Sequence, residues 1–184
     1  KAVVTGSLVV QATDGTYRNR LYWAQPDGHA PYYDKRHLFR MAGEHEHYHA
    51  GDERLTVELK GWKIRPLICY DLRFPVWSRD PHDTDLLFYI ASWPAARRLH
   101  WNRLLPARAI ENLCYVAGVN RIGVDGKGYQ YSGDTQLLDF HGEALIPPTD
   151  YNGVQQIRLS KEALQAYRKR FPAYQDADRF SLLD

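Results

Sequence analysis

Cysteine is nearly absent from this chain: its 184 residues hold two, Cys69 and Cys114. One pair cannot build a disulfide scaffold, so the composition points to a reducing, cytoplasmic setting. Long apolar runs are missing too. Arg65, Pro66 and Asp71 interrupt even the most apolar region, and no run reaches the roughly 18 residues that a membrane-spanning helix needs. Neither sign of charge dominates, with 24 Lys+Arg against 22 Asp+Glu, which removes any general pull toward nucleic acid or anionic lipid. Repeats, low-complexity tracts and Gly/Ser linkers are also absent, so one domain over residues 1–184 is expected. Methionine occurs once, at Met41, and the chain starts at Lys1. Its opening charge and apolar residues faintly imitate a signal peptide, but Thr5, Gly6 and Ser7 break the run. A buried strand over residues 2–10 fits better, and a chain that opens on a core strand is expected to have lost something upstream.

What remains is an ordinary globular composition, 44% hydrophobic and 25% charged. Residues 19–25 and 30–33 read as strands around a Pro26-Asp27-Gly28 turn. Leu55, Val57 and Leu59 alternate with polar residues and end at Lys60-Gly61, so residues 63–69 follow as the hairpin mate. That mate becomes continuously apolar, as does the segment 85–91, and both are expected to be covered on two faces. Trp101, Leu105 and Ala109 recur at helical spacing and predict a helix over 99–112, with Pro106 expected to kink it or delay its start. Segments 115–121, 132–140, 143–146 and 154–159 read as strands. Ser160 is placed to cap a helix over 161–170 whose last turn is basic. The pattern predicts sheets layered against helices.

Cys69 is the most informative single residue. It stands where the apolar strand Arg65-Pro-Leu-Ile-Cys stops at the polar Tyr-Asp-Leu-Arg. At such a strand-to-helix elbow a thiol meets backbone N–H groups that can lower its pKa and receive an oxyanion; the alternative is a buried, inert cysteine. Lys35, leaving a strand beside Tyr33 and Phe39, can present its ammonium to developing negative charge or simply be solvated. His45, His47 and His49, if extended, share one face and offer a metal site, although three alternating histidines are more often solvated. A metal-binding protein built on them is one rival reading. Gly123, Gly126 and Gly128 suit turns rather than a phosphate cradle. Arg97-Arg98, near Trp93 and Trp101, can grip a small anion.

Several segments together resemble the nitrilase superfamily of carbon–nitrogen hydrolases, nearest to its bacterial omega-amidase branch. They are Tyr33-Asp-Lys-Arg-His-Leu-Phe-Arg-Met41, Ile68-Cys-Tyr-Asp-Leu-Arg-Phe-Pro-Val-Trp77, Ser92-Trp-Pro94, Ala107-Arg-Ala-Ile-Glu-Asn112 and Tyr115-Val-Ala-Gly-Val-Asn120. The resemblance implies an α/β fold, the α-β-β-α sandwich of that superfamily, here lacking its N-terminal strand-and-helix portion. It implies hydrolysis of the omega-amide of a 2-oxo dicarboxylic acid, with other amide, nitrile or N-carbamoyl substrates as alternatives. It also implies a cytoplasmic homodimer with no metal and no organic cofactor.

The superfamily works with a Glu–Lys–Cys triad and a second, assisting glutamate. The resemblance places Cys69 as nucleophile, Lys35 as the lysine and Glu44 as the assisting glutamate, with Glu46 as the alternative. The general-base glutamate falls upstream of the strand at 2–10 and is absent from this sequence. These residues are therefore expected to be the larger C-terminal part of an active enzyme, nearly inactive alone, with a silent relative or a non-catalytic interaction module as the other accounts. By the same resemblance the Tyr70 N–H helps receive the oxyanion. Ser92 and Trp93 belong to the expected substrate-binding set. One of Arg73, Arg97 and Arg98 is expected to pair the substrate's far carboxylate.

Overall fold

The computed structural model describes residues 2–80 and 84–182. Three antiparallel strands open it: β1 (Val4–Gln11), β2 (Tyr17–Ala24) and β3 (Tyr32–Asp34). Leu21 pairs with Tyr33 across β2 and β3, both fully buried, and Trp23 repeats the same face two residues on. β1 departs from the expectation of a buried strand. Among the described residues it is an edge strand paired only with β2, and Val4, Leu8 and Val9 are 70%, 55% and 52% exposed.

A six-stranded sheet carries the rest. β4 (Val57–Leu59) turns at Lys60-Gly61 into β5 (Trp62–Ile68), and β6 (Leu86–Ala91) and β7 (Tyr115–Asn120) run parallel to β5. A two-stranded hairpin, β8 (Ile122–Val124) with β9 (Gln130–Ser132), follows. The chain then returns as β10 (Thr135–Leu138) and β11 (Ala144–Thr149), antiparallel additions beside β7. The continuous apolar runs of β5 and β6 are thus central strands with neighbours on both edges.

Register fixes what each face covers. Tyr89 lies beside Gly118 in the parallel pair β6–β7. A Cβ on Gly118 would sit 2.4 Å from Leu105 Cδ1 and 2.7 Å from Trp101 Cζ2, so this face is packed against the helix Arg98–Asn112. The alternate residues Leu86 and Phe88 face the other way and pack with Trp23, Val57 and Ile64. Among the described residues the layers therefore run helix, six-stranded sheet, three-stranded sheet, which is the α-β-β portion of the expected sandwich.

Four α-helices occur among the described residues. α1 (Glu44–His47) and α2 (Pro75–Ser78) are single turns, α3 is Arg98–Asn112, and α4 is Lys161–Arg170. Pro106 neither ends nor delays α3, which begins at Arg98 and continues to Asn112. Ser160 caps α4 as expected, its Oγ accepting from Ala163 N at 3.1 Å. Two strand expectations fail. Residues 154–159 form no strand, and 132–140 is split by Gly133 and Asp134, both with positive φ (70° and 55°), which turn the chain from β9 into β10. No described helix is long and apolar enough to cross a membrane.

Candidate active site

Cys69 directly follows the last residue of β5 and opens the 3₁₀ turn Cys69–Arg73. Its φ of +45° lies in the left-handed region that β-carbon-bearing residues avoid. The elbow is held by Asp71, which is fully buried: its Oδ2 accepts from Ile68 N at 3.0 Å and from Tyr33 Oη at 2.7 Å. Its Oδ1 accepts from His37 N at 3.0 Å and from the His37 ring at Nδ1, 2.8 Å away. Trp77 Nε1 and Arg36 N both donate to the Tyr33 hydroxyl. One carboxylate therefore ties the nucleophile's elbow to the segment that carries Lys35.

Lys35 follows β3 and is 2% exposed, with its N–H continuing the ladder to Asn19 O at 2.9 Å. Its Nζ lies 2.6 Å from Glu44 Oε2, which also accepts from Phe39 N at 2.8 Å. Gly43, with φ of 74°, lets the chain turn into α1 so that Glu44 points back at the lysine. The next turn is closed by Gly51, where a Cβ would stand 2.4 Å from Asp34 O. Only glycine fits there.

Lys35, Glu44, Cys69 and Ser92 line one cavity of about 360 Å³, with Asn19 and Arg121 further round its wall. The Cys69 thiol donates weakly to Ser92 O at 3.8 Å. Burial pushes this thiol up to about 11, and the Lys35 ammonium only partly offsets that rise. Withdrawal from water outweighs the lowering by the nearby cation and the Ser92 carbonyl contact. The thiol is therefore held protonated near neutral pH, so the nucleophile needs a base at the moment of attack. Cys114 is buried in the core with Ala109 and Val116, pushed up to about 12, and lines no part of this cavity.

The structure thus gathers four of the expected site residues and leaves the others outside the lining. Tyr70 packs its ring on Phe39 and Phe74. Trp93 is buried, its backbone N–H donating to Asn120 Oδ1 at 2.7 Å, and it does not line the cavity. Arg73 bonds the His100 ring at 2.7 Å, Arg98 pairs with Asp134 at 2.6 Å, and Arg97 lies over the Phe39 ring. The histidines do not form an extended face either: His45 and His47 sit in the helical turn α1, and no cluster fit for a metal occurs among the described residues. Arg121 was missed. The signal was its place one residue past the end of β7, the same place that Cys69 holds on β5.

The sequence profile for carbon-nitrogen hydrolases matches residues 1–169. The omega-amidase YafV of Yersinia enterocolitica is 55% identical over 183 residues, covering 99% of this chain and 71% of that protein. The 2-oxoglutaramate amidase of Bacillus subtilis is 36% identical over 178 residues, covering 95% and 68%. Among solved structures, a CN-hydrolase superfamily protein of Xanthomonas campestris, with an arsenic adduct in its active site, superposes with a TM-score of 0.95 at 48% identity. That match covers 98% of this chain and 71% of the other.

Proposed function

Because this chain belongs to the carbon–nitrogen hydrolase family, we propose that it hydrolyses the omega-amide of a 2-oxo dicarboxylic acid to the acid and ammonia, through a thioester on Cys69. The observation that carries this reading is the meeting of Cys69, at a strained strand end, with the pair of buried Lys35 and half-buried Glu44 in one cavity. Relatives named for that activity supply the substrate class.

In the proposed reaction the Cys69 proton passes to a carboxylate base as Sγ attacks the amide carbon. Glu44 is the only carboxylate among the described residues lining the cavity, and its Oε2 is engaged by Lys35 and Phe39. It fits the assisting role, and the base is the further glutamate that the resemblance implies. As the S–C bond forms, the carbonyl π pair moves onto oxygen, and the resulting tetrahedral oxyanion is met by the Lys35 ammonium and the Tyr70 N–H. The nitrogen then leaves as ammonia, carrying the proton returned by the base, and water cleaves the thioester to restore the thiol. Lys35 acts by charge, a contribution of about 2.7–4 kcal/mol for a donor of this kind. We place the protein in the cytoplasm as one domain paired into a homodimer, a reading supported by its two free cysteines and by the superfamily resemblance.

The direct test measures ammonia released from the five-carbon 2-oxo acid omega-amide by purified protein that also carries the general-base glutamate the resemblance implies. Turnover that disappears in Cys69→Ala supports the proposal. Equal or greater turnover of an uncharged amide or a nitrile would redirect it within the family, and light scattering reads the pairing.

A further inference from the structure

Resting on the omega-amide reading, we infer that Arg121 is the residue that recognises the substrate's far carboxylate. The argument begins with strand register. β5, β6 and β7 are adjacent and parallel, Ile68 aligning with Ile90 and Ala91 with Asn120. Cys69, Ser92 and Arg121 each stand one residue beyond these three strands, so they form a row across the carboxyl edge of the sheet. Ligands of open α/β sheets lie along that edge. Neighbouring strands are about 4.8 Å apart, which puts the β7 end roughly 10 Å from the β5 end. A short dicarboxylate laid along the row has its amide carbon at Cys69 and its free carboxylate within reach of an arginine side chain rooted after β7.

Charge selects the same residue. Two cations line the cavity, Lys35 and Arg121. Lys35 is already neutralised by Glu44 at 2.6 Å, whereas Arg121 makes no direct ion pair among the described residues and feels the through-space charge of Asp125, whose carboxylate is held by Tyr131 Oη at 2.9 Å. Its guanidinium lies 4.5 Å from the centre of the Tyr131 ring, contributed by β9, which steadies the side chain by its face without occupying its hydrogen-bonding edge. Its backbone is fixed: Arg121 N donates to Ala91 O at 3.1 Å, and Arg121 O accepts from Gly133 N at 3.2 Å. Asn120 beside it is spent on structure, holding Trp93 and Gly133. Arg73 is held by the His100 ring and Arg98 by Asp134, and neither they nor Arg97 line the cavity. A planar fork held on a fixed stem is suited to two-point recognition of a carboxylate.

The test is protection of Cys69 against iodoacetamide by the five-carbon 2-oxo dicarboxylic acid, followed by mass spectrometry. Wild-type protein should be protected. Arg121→Gln should need at least about tenfold more of the acid for the same protection, and Arg121→Lys, which keeps charge but not the fork, should fall between. Equal protection of wild type and Arg121→Gln would overturn the assignment of Arg121 while leaving the omega-amide reading in place. Absence of protection in the wild type would overturn that reading itself, and this inference with it. If Arg121→Gln fails to fold, Arg121→Lys decides alone, and protection identical to wild type then counts against the two-point fork.

Discussion

At the scale of single residues, the site is governed by how far each group is withdrawn from water. Cys69 and Cys114 are both pushed up by burial, to about 11 and about 12, yet only Cys69 borders the cavity. Alkylation follows the thiolate fraction. The labelling rate of Cys69 should therefore climb about tenfold per pH unit from pH 7 and keep climbing past pH 9, levelling only near 11. A rate that levels near pH 9, the ordinary thiol value, would contradict the burial argument. Because the Lys35 charge lowers the thiol pKa, Lys35→Met should slow labelling at any pH below that plateau. The same substitution should lower kcat/KM by about a hundredfold or more through loss of oxyanion stabilisation; circular dichroism checks that the fold survives. Cys69 and Lys35 were legible in the sequence through the segments around them. The Cys69 pKa direction and Arg121 were not, because burial and cross-strand register are set by residues far away in the chain.

At the scale of elements, the central strands were the easiest to read. Continuous apolar runs made β5 and β6 visible, and the spacing of Trp101, Leu105 and Ala109 made α3 visible. Weaker signals misled. The apolar residues of β1 suggest core, yet this strand is an edge, and the polar-alternating 154–159 pairs with no strand among the described residues. Asp71 shows how elements are joined into a site. By accepting from Ile68, Tyr33 and His37 it fastens the end of β5 to the segment after β3. Asp71→Ala leaves those donors buried without a partner, each costing about 1–3 kcal/mol. Unfolding in urea should show a loss of several kcal/mol, and any folded fraction should lose its activity because Cys69 and Lys35 are no longer held together. Gly118→Ala tests the other face of the sheet. Leu105 and Trp101 are fully buried and cannot retreat from the added methyl, so α3 must shift, at about 1–3 kcal/mol by the same measurement.

At the scale of the whole molecule, stability and chemistry are concentrated at opposite ends of the same three strands. The site lies beyond their carboxyl ends, at Cys69, Ser92 and Arg121. The anchors of α4 lie at their amino ends. Lys161 pairs with Asp85 at 3.0 Å and donates to Gly61 O; Arg168 pairs with Asp85 at 3.1 Å and donates to Thr84 O and Leu113 O. Between these charges Leu164 is fully buried with Tyr115 and Phe140, and Tyr167 stacks on Phe140. Each anchor residue immediately precedes, or stands within two residues of, the start of β5, β6 or β7. α4 therefore clamps the sheet from below while the cavity opens above it, and the strands between keep the two apart. Leu164→Ala removes the apolar centre of the clamp and should lower stability by about 2–5 kcal/mol. Well below the melting temperature it should leave kcat/KM for the omega-amide, and the pH dependence of Cys69 labelling, within about twofold of wild type, since distant sites contribute independently. A large loss of turnover in a folded Leu164→Ala protein would mean that α4 also sets the geometry at the carboxyl edge, and that the two ends are coupled through β6.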